Sequence, residues 1–303
     1  MLRFFKSILY LMLMLCIYNC GTKVSDTKIP VSTKSAEADN LLQEALQLNS
    51  ISKGDEAKKK LLKAIEIDEN FGFAYMVLST FGSNTVSETD TYYEKALSLK
   101  DQLNDVEQCM IEVRTSYRDN DTEKRLEYSK KILELIPDNA FAHLRMAYTH
   151  WEMADIEESR KYLLSAIDKD KYYSEAYGAL IQNYMFYEPK SYEKAEKYAT
   201  EVLSFNNNES YYHVALGDVY RGQNKLVKAA EKYDDAYEAG TNNWFSAAKA
   251  GHAYTMFNPE EARKRFDQAI KDARNTNQKI GPEYAKIYTY LHEDNFQKAY
   301  NQL

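Results

Sequence analysis

The chain has 303 residues, 28% of them charged, only 10 glycines and 5 prolines, and a formal net charge of −7. So few turn formers among abundant Ala, Glu, Lys and Leu disfavour a sheet protein and favour helices. The acidic balance, with no basic stripe interleaved with aromatics, argues against nucleic acid as a partner.

The first element is an address. Arg3 and Lys6 precede an uncharged stretch, residues 7–18, rich in Leu, Met and Ile. It is shorter than the roughly 20 apolar residues a bilayer span needs. It fits residues 1–19 as a signal peptide, followed at once by Cys20-Gly21. This resembles a bacterial lipoprotein signal, which implies lipid on Cys20 and attachment to a membrane of the cell envelope. Gly21, where some lipoproteins carry Asp, points to the outer membrane under the common sorting rule. Ile17, Tyr18 and Asn19 depart from the usual Leu and small residues. A simple secretion signal and an uncleaved anchor are the alternatives. Residues 20–37, rich in Thr, Ser and Lys around Pro30, read as a flexible tether.

From residue 38 onward, helical stretches alternate with short polar breaks. Ala64-Ile65-Glu66-Ile67-Asp68 recurs in outline at Ala96, Ile132, Ala166, Val202, Ala236 and Ala269. The steps are 32, 36, 34, 36, 34 and 33 residues. His213, Leu216, Gly217 and Tyr220 mark one first helix, and Ala229 with Tyr233 its second. Gly251, Tyr254, Ala262 and Phe266 repeat the pattern. Tyr177, Leu180, Ile181 and Tyr184 do so less fully, as do His143, Met146, Ala147 and His150 with Ser159 and Leu163. Small residues such as Gly217 and Ala229 let paired helices approach, and large ones such as Tyr220 and Tyr233 fill the gap between hairpins. Val113 stands where the third unit should carry a small residue.

A period near 34 with these slots resembles the tetratricopeptide repeat family over residues 38–303. The resemblance implies an all-α, right-handed superhelical solenoid of antiparallel helix hairpins. Units are expected at 38–71, 72–103, 104–139, 140–173, 174–209, 210–243 and 244–277, with a partial one at 282–303. The 174–209 unit has two extra residues around Pro189. The last ends within its second helix, which leaves fraying, cover by a partner or a longer array as expectations.

Catalytic and metal signatures are missing. The three cysteines, Cys16, Cys20 and Cys109, form neither a disulfide framework nor a ligand spacing. The five histidines include no His-Glu-x-x-His, and three of them, His143, His150 and His213, fall on packing slots. No Gly-x-Ser-x-Gly or P-loop occurs. Paired acids such as Glu157-Glu158 sit among lysines and read as solvated faces. No enzyme activity, cofactor or metal is expected.

A second apolar stripe is the informative feature. Phe141, Leu144, Tyr148 and Trp151 step by three, four and three residues, off the hairpin-packing face. The family resemblance implies that this stripe lines a concave groove. It continues through Glu175, Gly178, Gln182 and Met185, then Tyr211, Val214, Asp218 and Arg221, then Phe245, Ala248, His252 and Thr255. Aromatic anchors with a few charges suit a protein or peptide partner. Burial of the rings against adjacent hairpins is the competing reading. The groove lacks the Lys/Asn/Arg set with which some family members grip a C-terminal carboxylate. The expectation is a lipid-anchored adaptor of the bacterial envelope. The alternative is a periplasmic carrier or sensor for a small molecule or glycan, stacked in the same groove.

Overall fold

A computed structural model describes residues 25–50, 53–240 and 244–302. The expected signal segment and Cys20 lie outside the described residues. Among those residues there are sixteen α-helices and no strand. The first four are α1 (Ala36–Ser50), α2 (Gly54–Ile67), α3 (Gly72–Leu78) and α4 (Val86–Leu99). Next come α5 (Asp105–Asp119), α6 (Thr122–Leu135), α7 (Ala140–Glu152) and α8 (Ile156–Lys169). Then α9 (Ser174–Phe186), α10 (Tyr192–Leu203), α11 (Ser210–Gly222) and α12 (Leu226–Ala239) follow. The series closes with α13 (Trp244–Tyr254), α14 (Pro259–Asp272), α15 (Thr276–His292) and α16 (Phe296–Tyr300).

Each odd helix packs on the even helix after it, and each even helix but α4 on the next hairpin; α4 reaches α5 through the Tyr93 and Thr115 hydroxyls, 2.7 Å apart. First helices of successive hairpins also touch, as α3 does α5, α9 does α11 and α13 does α15. That is a solenoid of helical hairpins, in which each unit buries its apolar face against neighbours.

Local chemistry sets the boundaries. Thr85 and Asn104 start α4 and α5 with capping boxes closed by Glu88 and Glu107. Asp121, Asp155, Ser191 and Asn258 cap second helices α6, α8, α10 and α14, the last with Pro259 in its first turn. In four of the hairpins the chain turns between the two helices through a left-handed residue: Asn120, Ala154, Asn224 or Asp294.

Within the hairpins the small and large slots interlock. A Cβ on Gly217 would lie 2.5 Å from the Tyr233 ring, and one on Gly251 2.6 Å from Phe266. Tyr233 thus packs on Gly217 of its own hairpin and also shares a core cluster with Ala250 and Ala253 of the next, so it fills the gap between hairpins as expected. Tyr220 bridges two clusters of the core. The Val113 departure is met by a small partner, since fully buried Ser129 occupies the slot that Leu163 and Tyr233 fill in other units. Unit five exchanges the pair the same way, with Ile181 and Ala199. The conserved quantity is the sum of the two volumes.

Residues 25–35, inside the stretch read as a tether, form neither helix nor strand and lie across the inter-repeat junctions. Thr33 Oγ1 bonds Asp68 Oδ2 at 2.6 Å. Ser32 Oγ donates to buried Glu107 and accepts from the Asn104 amide at 2.7 Å. Asn104 and Asn139 donate their side-chain amides to the Pro30 and Lys28 carbonyls, at 3.2 and 2.8 Å. The Ser25 and Thr27 hydroxyls bond Asp170 Oδ2 at 2.5 and 2.7 Å. Ile29 is buried in the core. This strap crosses four junctions using the residues that end or cap the helices there.

Candidate concave binding site

The strap and α1 roof the inner face of the solenoid. The side chains that face them recur at i, i+3, i+4 and i+7. They are Phe73, Met76 and Val77 in α3 with Thr80 just past its end, then Met110, Val113, Arg114 and Tyr117 in α5. In α7 the positions are Phe141, Leu144 and Arg145, with Tyr148 at the seventh residue on. Together with α1, Ile29 and the start of α9, they line a half-open chamber of about 780 Å³. Gln43 of α1 holds the strap over it, donating to the Ile29 carbonyl at 3.2 Å. The roof is tied to the far side of the superhelical turn by Lys53 and Glu209, 3.0 Å apart.

A smaller cavity of about 220 Å³ adjoins the chamber through Asn49, Ser50 and Glu175. Tyr148, Trp151, Gln182 and Tyr211 line it. Trp151 meets Tyr187 edge-on at 5.4 Å, and Gln182 Nε2 donates to the Tyr211 hydroxyl at 2.8 Å. Glu175 stands between the two cavities. Tyr148 and Tyr173 aim their hydroxyls at its two oxygens, at 3.3 and 3.5 Å. Burial pushes the Glu175 carboxyl above the usual range, although nearby Arg145 and the two hydroxyls pull the other way. Burial, with Glu175 nearby, also raises both phenols well above normal.

Of the sixteen stripe residues, eight line a cavity: Phe141, Leu144, Tyr148, Trp151, Glu175, Gly178, Gln182 and Tyr211. Phe141 and Leu144 are buried beneath the roof, and Met185 is buried in the packing of its own layer. The other seven, from Val214 to Thr255, line neither cavity. Asp218 accepts from Lys249 Nζ at 2.6 Å and from the Tyr233 hydroxyl at 2.7 Å. Arg221 is 3.6 Å from Asp218. Phe245 is 45% exposed beneath Lys249. His252 rests edge-on against Phe266 at 5.1 Å. Its immediate surroundings and the cations Arg221 and Lys249 lower its pKa.

The walls from α3 and α5 were missed from the sequence. Their spacing is the one read in α7, one and two units earlier. His143 and His213 each bond a carbonyl six residues upstream, Pro137 and Asn207, at 2.8 Å. Among the described residues, no three His, Cys, Asp or Glu gather as metal ligands.

Hairpins stacked in this way define a helical-repeat solenoid with a tetratricopeptide-like fold. Yeast Tom70 is a structural relative, 16% identical over 94% of this chain and 62% of its own, with a TM-score of 0.58. MamA from Desulfovibrio magneticus RS-1 is 14% identical over 57% of this chain and 98% of its own, at 0.49. YrrB, described as a TPR protein with an unusual peptide-binding site, is 15% identical over 73% and 95%, at 0.44. No protein-family model matches the chain, and no curated protein does.

Proposed function

We propose that the chain is a non-enzymatic scaffold that holds another protein or peptide on its concave face. The observation that carries this is the surface beyond the roof. There Trp151, Gln182, Tyr211, Arg221 and Phe245 form a run of aromatic anchors with polar neighbours, several of them solvent-exposed. Fold alone assigns no function; that surface supports the reading. A photo-crosslinking amino acid at exposed Gln182 is expected to capture a discrete partner in native membranes. The same group at exposed Lys161 of α8 is expected not to. Equal capture from both positions would count against the groove.

The proposal includes lipid on Cys20 and an envelope setting, the outer membrane first, supported by the signal-like residues. Ser25 is already docked on Asp170, so five residues would link it to the lipid, a reach of at most about 18 Å. The solenoid would then sit near the bilayer, with its strap-bearing edge facing it. The intact mass of the N-terminal peptide tests this; an unmodified Cys20 would contradict it.

A second reading, a carrier or sensor for a small molecule or glycan, is favoured by the roofed chamber. Its volume falls within the roughly 300–1,000 Å³ of ligand pockets.

A further inference from the structure

Two cations in the chamber lack a carboxylate. Arg114 and Arg145 both line it. Arg114 is held by Ser79, through Nε to the hydroxyl at 3.2 Å and Nη2 to the carbonyl at 2.9 Å. Arg145 lies over the rings of Phe141 and Tyr148, at 5.7 and 4.8 Å, and its buried Nε makes no hydrogen bond. Among the described residues, neither guanidinium has an acidic oxygen within 4.0 Å. None of the acids of the chamber wall forms an ion pair with either arginine, although Glu175 lies near enough to Arg145 to feel its charge. Glu44 pairs with Lys60 at 2.6 Å, Glu209 with Lys53, and Glu175 takes the two tyrosine hydroxyls. Glu56 is exposed. A partly buried guanidinium with unused donors favours an anion that can accept from it.

The rest of the wall is apolar: Phe73, Met76, Val77, Met110, Val113 and Leu144. We propose that the chamber binds a small amphipathic organic anion, its carboxylate between Arg145 and Arg114 and its apolar body along α3 and α5. A molecule of this kind fits better than a through-running peptide, because α1 and the strap close the inner face here. The inference rests on the carrier reading and narrows it to one ligand class.

Calorimetric titration of the full chain with decanoate below its micellar concentration and with neutral 1-decanol below its solubility limit tests it. Decanoate is expected to bind one site about tenfold or more tighter than decanol. Arg145→Met should remove that margin and leave decanol binding unchanged. Glu175→Gln, which deletes a competing carboxylate, should tighten decanoate. Val77→Trp, filling the floor, should abolish both. If Arg145→Met does not fold, Arg114→Met carries the same expectation. Absence of decanoate binding, or unchanged decanoate affinity in the folded arginine variant, would overturn the proposal. Equal affinity for acid and alcohol would overturn it too, while leaving a small-molecule chamber standing.

Discussion

Gly217 shows how little slack a single position holds. Its missing side chain admits the Tyr233 ring, which is fully buried and donates its hydroxyl to Asp218. Gly217→Ala would force the ring off its site and is expected to cost about 2 kcal/mol by overpacking, read as a lower denaturant midpoint. Gly82 has nothing within 4 Å of a Cβ, so Gly82→Ala should be neutral or slightly stabilising. Ala154 is the opposite case. It occupies a left-handed turn at φ 59° that Asn or Asp fills in three other units. Ala154→Gly should raise stability by about 1 kcal/mol, visible as an upward shift in melting temperature. The Gly217 slot was legible in the sequence, because glycine at a helix-packing position has one reading. The strain at Ala154 was not, since alanine carries no turn signal of its own. The exchanged pair at Val113 looked like a departure for a related reason. Slots read singly hide a volume that is conserved only across the two helices.

At the scale of the element, the strap is the feature sequence reasoning had least access to. Thr, Ser, Lys and Pro without period read as linker, and locally that is correct: residues 25–35 form no helix. What holds them is a set of single hydrogen bonds to Asp68, Asn104, Asn139 and Asp170, up to 145 residues away. Such contacts leave no periodic trace. Burial alone would raise the Asp170 carboxyl. The hydrogen bonds from Ser25, Thr27 and the Tyr172 amide outweigh it and hold the group below the usual range. A depressed carboxylate stabilises the docked form above its unperturbed pKa, and that stability is lost as pH falls through the lowered value. The strap should therefore loosen below about pH 4. At neutral pH, Asp170→Ala should speed tryptic cleavage after Lys28 by about tenfold. An unchanged rate would mean that the other junctions hold the strap alone.

At the scale of the whole molecule, the period near 34 made the hairpin array legible, and the structure contains it from α1 to α16. Curvature was not legible. The tightness of the turn, which brings Lys53 to Glu209 and puts α1 over the inner face, arises from small inter-hairpin rotations summed over several units. For that reason the stripe found in α7 divides into a roofed part, with Phe141 and Leu144, and an open part beyond Trp151. The open part carries the proposed scaffold role. Its test is the affinity of the crosslinked partner for the wild-type chain and for the double variant Tyr148→Ala, Trp151→Ala, measured alongside helicity and melting. A partner-binding face predicts that binding is abolished while helicity is unchanged and melting falls by only a few degrees. Retained affinity, or a large loss of stability in place of a loss of binding, would contradict it and return these rings to a packing role.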